Sequence, residues 1–136
     1  MLSNFKIYLK NPSIIGGVFC FIMFLMSLDS LGQANLKFKD TKKSFGFVKQ
    51  GQPVKLVFDF VNIGNEPLFI YDASAECACT QIEFSVRPYL PNESGQVIVL
   101  FDTKSARDRQ NRVVEISSNS NKETQKIRFK GVVLSK

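Results

Sequence analysis

Residues 55–80 read KLVFDFVNIGNEPLFIYDASAECACT, and this stretch decides the fold. Leu56, Phe58 and Phe60 alternate with Lys55, Val57 and Asp59, the period of two that a strand with one buried face requires. Asn62-Ile63-Gly64-Asn65-Glu66-Pro67 then interrupts the pattern. Gly64 and Asn65 suit positive φ, and Pro67 fixes its own φ, so the tract reads as a turn. A second apolar run, Leu68 to Tyr71, follows, and the unit closes on Cys77-Ala78-Cys79-Thr80.

On the N-terminal side, Leu36 and Phe38 alternate within a lysine-rich segment. Residues 33–44 therefore read as a polar arm or an edge strand, where lysines discourage pairing with another chain. Phe45 to Val48 is a short apolar piece, and Gly51-Gln52-Pro53 turns the chain into the Lys55–Val61 strand.

On the C-terminal side, Ile82, Phe84 and Val86 alternate with polar neighbours up to Arg87-Pro88. A loop over Pro88–Gly95 leads to Gln96–Phe101, where both faces are apolar. After the polar connection Asp102–Asn111, Val114 and Ile116 mark another strand, which ends in Ser118-Asn119-Ser120-Asn121. Ile127 and Phe129 then face inward against Lys126, Arg128 and Lys130. No segment after the N-terminal hydrophobic one keeps a helical period. About seven short strands separated by turns predict an all-β, antiparallel immunoglobulin-like sandwich over residues 45–136.

The 136 residues contain no histidine and no tryptophan. Ser-His and Cys-His nucleophilic machinery and histidine metal sites are thereby excluded. Residues 1–32 read as a signal peptide: Lys6 and Lys10 precede a nearly continuous apolar run, Ile14 to Leu28, and small residues stand before Gln33. Cleavage is expected after Gly32, with Ala34 the second choice. An uncleaved anchor is the rival, although the run falls short of the roughly 20 apolar residues a spanning helix needs. Cys20 would leave with the signal, so the exported, oxidising location expected here keeps only Cys77 and Cys79. Without residues 1–32 the chain holds 16 basic and 11 acidic groups. That modest excess, spread along the sequence, suits solubility and a mild affinity for anionic surfaces. No aromatic-and-basic nucleic-acid motif is present, and contact with a membrane is expected only through an uncleaved N-terminal segment.

At this point the landmarks resemble the bacterial domain of unknown function 1573 family, whose members are mostly exported and abundant in Bacteroidetes. Phe58 to Ile70 looks like that family's strand, Asn-x-Gly turn and Leu-x-Ile strand. Cys77-Ala78-Cys79-Thr80 is similar to its Cys-Gly-Cys-Thr signature, Pro91–Gly95 to its Pro-Gly-Glu-type turn, and Phe101-Asp102-Thr103 to its Phe-Asp-Thr ending. The resemblance spans about Phe45 to Leu134. It implies an immunoglobulin-like sandwich without established catalytic activity. It singles out Asn62, Gly64, Asn65, Leu68, Cys77, Cys79 and Thr80 as motif residues. Two departures stand out: Ala78 replaces the usual glycine, and the loop Thr103–Asn111 lacks the glycine common before the next strand. If the glycine at position 78 has positive φ, alanine there costs on the order of 1 kcal/mol.

The cysteines are the only residues here with distinctive chemistry. Two residues apart in an extended strand, their Cα atoms would lie about 6.6–6.8 Å apart, at the upper limit for a disulfide, so a bridge needs a local kink. Three readings stand: a buried or bridged structural corner, a redox-labile pair, or a soft-metal pair suited to Cu(I). Glu76 and Glu83 flank the cysteines, and nothing in the sequence makes them an acid–base pair. Lys126, Arg128 and Lys130 form a basic row that could meet an anionic surface, although a solvated strand face is the usual explanation, and Asn92-Glu93-Ser94 matches a glycosylation acceptor. The functional expectation is an exported, noncatalytic structural or protein-interaction module of the cell envelope, with no cofactor. The alternative is a periplasmic thiol-redox or Cu(I)-handling protein.

Overall fold

Alternation of apolar and polar residues becomes eight strands in the computed structural model, which describes residues 32–135. They are β1 (Leu36–Phe38), β2 (Lys42–Lys49), β3 (Val54–Asn62), β4 (Ile70–Ala75), β5 (Thr80–Glu83), β6 (Ser94–Phe101), β7 (Asp108–Ser118) and β8 (Thr124–Leu134). One sheet has the order β1-β3-β6-β5 and the other β2-β8-β7-β4. The export-signal reading of the N-terminal segment lies outside the described residues, except for Gly32. No helix among the described residues is long and apolar enough to cross a membrane.

The sandwich is the one expected, seven strands from β2 to β8 with β1 added at an edge by the lysine-rich arm, but one pairing has the other sense. β2 runs parallel to β8, Lys42 opposite Arg128 and Lys49 opposite Leu134, with a register shift between Ser44 and Gly46. The remaining ladders are antiparallel. Gly46 at the irregularity has φ 69°, a conformation open to glycine at little cost. The shift sets Phe45 against the core and turns Phe47 outward. Sequence alternation cannot reveal the sense of a pairing, because a strand presents the same two faces either way.

The lysine-rich segment before Phe45 is strand over Leu36–Phe38 and again from Lys42. Leu36 and Phe38 are buried, and β1 pairs with β3 at the sheet edge, with Lys37 opposite Val61. Two other strands are shorter than their periodicity. β5 stops at Glu83 although Phe84 and Val86 continue the pattern, and Val86 is 79% exposed. Leu68 and Phe69 precede β4; Leu68 forms an isolated bridge to Tyr89.

The core is aromatic on both inner faces. Phe101 and Phe129 stack across the layers with centroids 5.4 Å apart, and Phe45 leans on both at 5.9 and 6.4 Å. Phe58 fills the centre at 0% exposure, and Phe60 meets the Tyr89 ring edge-on at 4.9 Å. Each such ring contributes about 1.5–3 kcal/mol by leaving water. Charged groups cap two of these rings: the Lys43 ammonium lies 5.6 Å from the Phe58 centroid and the Arg112 guanidinium 6.0 Å from that of Phe101, within cation–π range.

Candidate functional site

Consecutive strands alternate between sheets at several corners. β3 to β4 crosses through the Asn62–Phe69 tract, β4 to β5 returns through Glu76–Cys79, and β6 to β7 crosses through Asp102–Arg107. A corner interrupts both ladders, so its backbone groups need partners from elsewhere. The motif residues supply most of them.

Asn62 is fully buried at the first corner. Its Oδ1 accepts from the Asn35 and Gly64 N–H groups at 3.2 and 3.0 Å, and its Nδ2 donates to the Glu66 and Tyr89 carbonyls at 2.8 and 2.9 Å. Its main chain donates to the Glu93 carbonyl and accepts from the Asn92 N–H. One amide thus ties β1, its own turn and the 89–93 loop together. Asn65 adds a second clasp: its Oδ1 accepts from the Gln33 N–H at 2.7 Å, and its own N–H donates to the Gln33 carbonyl.

Gly64 and Asn65 do not use positive φ, contrary to the expectation for this turn. Among the described residues that conformation occurs at Gly46, Gly51, Asn92 and Asp108. What Gly64 supplies is room. A Cβ there would collide with the Gln33 carbonyl and lie 2.6 Å from the Asn35 nitrogen, so the N-terminal segment packs directly on its backbone. Leu68, at 0% exposure, plugs the same corner, and its N–H and carbonyl both bond to Tyr89.

At the second corner Cys77 and Cys79 are joined by a disulfide, with Cα atoms 5.2 Å apart. The kink that extended geometry lacked is a turn closed by the Thr80 N–H on the Cys77 carbonyl at 3.0 Å. Cys79 passes its carbonyl to the Asp102 N–H at 2.8 Å, so the bridged turn is stitched to the end of β6. Ala78 is exposed and outside the positive-φ set, so it carries no left-handed penalty. Thr80 is buried and opens β5. Beside the turn lies an open groove of about 510 Å³, bordered by Pro53, Ala78, Cys79, Gln81, Asp102 and Lys104 among others.

Thr103 and Asn119 perform the same service at other corners. The Thr103 hydroxyl donates to the Gln52 carbonyl at 2.7 Å and accepts from the Gly51 N–H at 2.9 Å. Asn119 Nδ2 donates to the Pro67 carbonyl, and its Oδ1 accepts from the Phe69 N–H. The sequence marked Thr103 only as part of a motif and Asn119 only as a turn residue. Their partners lie 50–52 residues away, beyond any local signal.

Asn92 and Asp108 hold left-handed backbone positions without being glycines, Asp108 within the loop that lacks one. Asn92, within the turn similar to Pro-Gly-Glu, has φ 64°, and Asp108, at the start of β7, has φ 59°. Asn and Asp are the non-glycine residues that most readily adopt this conformation. In the same turn the Leu90 N–H donates to Glu93 Oε2 at 2.8 Å and Arg87 pairs with Oε1 at 2.6 Å. The backbone bond first, then Arg87, hold the Glu93 carboxyl below the usual carboxylate range.

The other sequence candidates stand apart from these corners or lack partners. Glu76 and Glu83 are exposed and make no side-chain hydrogen bond or ion pair among the described residues. No group of three or more Cys, His, Asp or Glu side chains able to hold a metal occurs among the described residues. The bonded sulfurs leave no free thiolate in this form. Lys126, Arg128 and Lys130 are exposed on the outside of their sheet.

Among solved structures, a protein of unknown function from Porphyromonas gingivalis W83 superposes with TM-score 0.67 at 14% identity, over 77% of this chain and 49% of its own. This chain thus spans about half of that relative's length. The ASH / PapD-like domain 7 of human CEP192 superposes with TM-score 0.63 at 10% identity, covering 76% of this chain and 88% of that one. The secreted serine protease VesC from Vibrio cholerae matches at TM-score 0.56 and 13% identity over 73% of this chain and 23% of its own. At these identities the likeness concerns the fold. No curated protein sequence matches. The family model described as "Protein of unknown function (DUF1573)" matches residues 36–133, from the start of β1 to the penultimate residue of β8, and the chain is a member of that family.

Proposed function

We propose that this chain is an exported, noncatalytic structural or protein-interaction module of the cell envelope, acting in the periplasm, as a secreted protein, or from an uncleaved inner-membrane anchor. The observation that carries this reading is where the motif side chains go. Asn62, Asn65, Thr103 and Asn119 direct their polar atoms to backbone groups of the corners, and Leu68 is buried in the core. Catalysis requires a nucleophile, acid or base free to meet a substrate, whereas these groups are committed to holding the sandwich. What is left for function is surface: strand edges, outer sheet faces and corner loops.

Affinity capture of the tagged, exported form from its own cell envelope tests this reading. Saturable, specific recovery of a protein partner supports it, and robust turnover of a substrate by the purified protein would sink it.

A second reading rests on the Cys77–Cys79 disulfide, which closes an exposed turn beside a groove. On this reading the pair is a periplasmic thiol–disulfide couple: a dithiol reductant transfers two electrons and two protons, opening the bridge to two thiols that could then hold Cu(I). Thiol titration and Cu(I) competition on wild type, Cys77→Ser and Cys79→Ser decide it. Identical behaviour of all three removes the reading.

A further inference from the structure

The cations are spread along the sequence, but the fold gathers them. On β8, Ile127 and Phe129 are buried, so Lys126, Arg128 and Lys130 face outward. On β7, Gln110, Val114 and Ile116 are buried, and Arg109 takes the outward side. The parallel pairing brings β2 alongside: Lys42 stands opposite Arg128, and Lys49 opposite Leu134. Six exposed cations therefore share the outer face of β2, β8 and β7. The one carboxylate at an outward position of these strands, Glu115, is paired with Lys126 at 2.6 Å. Asp72 lies beyond them on the far edge strand, β4. Outside this face the described residues carry nine cations and ten carboxylates, so the basic excess of the domain is confined to one sheet surface.

That surface also has an apolar lip. Phe47, turned outward by the irregularity at Gly46, is 74% exposed and stands opposite Val132, which in turn faces Arg109. Leu134 beside Lys49 is 46% exposed. A purely hydrophilic polyanion would leave this lip in water. An anionic bilayer takes both parts, with phosphate headgroups meeting the cations and the aromatic ring entering the interfacial layer.

We propose that the outer face of β2, β8 and β7 docks onto anionic phospholipid surfaces, with Phe47 and Leu134 seated among the headgroups. This goes beyond the protein-module reading and does not depend on which protein the domain binds.

The test is co-sedimentation of the full chain with phosphatidylcholine vesicles, with and without about one-third phosphatidylglycerol. Lys6 and Lys10 beside the apolar Ile14–Leu28 run add an anionic preference of their own that is the same in wild type and in every variant, so the change from wild type to variant is the readout. The expected preference for anionic vesicles is about tenfold or more, with each neutralised cation weakening it about fivefold. It should collapse between about 0.1 M and about 1 M salt, as the screening length shrinks from about 10 to about 3 Å. The variant Lys42→Gln/Arg128→Gln/Lys130→Gln should lower the preference about tenfold or more, and Phe47→Ser should reduce it at constant charge. Lys37→Gln/Lys55→Gln, on the other sheet, should leave it intact. These positions are all outward-facing, and an unchanged melting temperature confirms that each variant is folded. An unchanged preference in the triple variant overturns the proposal, as does an equal loss from the Lys37/Lys55 pair. Binding to a short DNA duplex as tight as to vesicles and indifferent to Phe47→Ser would also overturn it.

Discussion

Asn62 Nδ2 donates to the Tyr89 carbonyl at 2.9 Å inside a corner where both residues are buried. The bond joins the end of β3 to a loop 27 residues away, and Leu68 bonds the same Tyr89 backbone from the other side. Asn62→Leu strands the Asn35 and Gly64 N–H groups and the Glu66 carbonyl at once, while the Tyr89 carbonyl keeps only the Leu68 N–H. At about 1–3 kcal/mol per unsatisfied buried group, with partial relaxation, urea titration should show a loss of about 3–5 kcal/mol. Asn62→Asp keeps the accepting side but sets a carboxylate against the Glu66 and Tyr89 carbonyl oxygens, so it should rescue little. A loss below about 1 kcal/mol for both variants would mean that the corner is held elsewhere.

Much of this fold was legible in the sequence because burial in a sandwich leaves a period of two. Phe58, Phe60, Ile127 and Phe129 face inward as read, and of the two apolar faces of Gln96–Phe101 it is that of Val97, Val99 and Phe101 which is buried. The parallel β2–β8 ladder was not legible, since alternation carries no information on direction. The strand pattern through Val86 misled because the chain leaves the β6 ladder after Glu83, although β6 itself continues to Ser94. The corner residues were visible as a resemblance, but their work was hidden. A buried asparagine and a turn asparagine look alike until the distant backbone groups they serve are known.

Gly64 is required for closeness rather than for a special φ. Gly64→Ala places a methyl group against the backbone of Gln33–Asn35, so the N-terminal segment must lift away. Hydrogen exchange should report the damage locally, with faster exchange in β1 at Leu36 and Phe38 and little change in β7 and β8. A uniform acceleration across the domain would show instead that β1 and the core open as one unit.

For the disulfide the expected effect on stability is small. The bridge closes a loop of sequence separation 2, and chain-entropy arguments assign about 1.5 kcal/mol to so short a loop. The turn retains its backbone bonds from Thr80 to Cys77 and from Asp102 to Cys79 without it. Cys77→Ser/Cys79→Ser should therefore fold and lose about 1–2 kcal/mol in denaturant titration. Failure of the double variant to fold would make the bridge the principal fastening of that corner.

Glu93 gives the protein an acid-sensitive element. The Leu90 N–H and then Arg87 favour its carboxylate, so its folded-state pKa lies below that of the unfolded chain. The unfolded state binds the proton first as pH falls. The contribution of Glu93 is present in full above the ordinary carboxylate range, about pH 4–5, and is lost as pH drops through that range toward the folded-state value. Thermal denaturation of Glu93→Gln should show a constant deficit against wild type near neutrality that shrinks in acid. A deficit that grows with acid would reverse the assignment.

Asp108 offers the opposite kind of test, a substitution that should improve the protein. It holds φ 59° at the entry to β7, in a connection where a glycine would meet no left-handed penalty. Its side chain makes no hydrogen bond or ion pair among the described residues, so truncation should forfeit little. The left-handed conformation costs an L-residue roughly 1–2 kcal/mol, less for Asp, while glycine gives back part of that gain through the greater freedom of the unfolded chain. Asp108→Gly should therefore raise stability by about 0.5–1 kcal/mol, whereas Asp108→Val, with a β-branched side chain at the same φ, should lower it by about 1 kcal/mol or more. Equal stability of the two variants would mean that the β7 entry relaxes to negative φ in solution, and that the chain has no need of a glycine there.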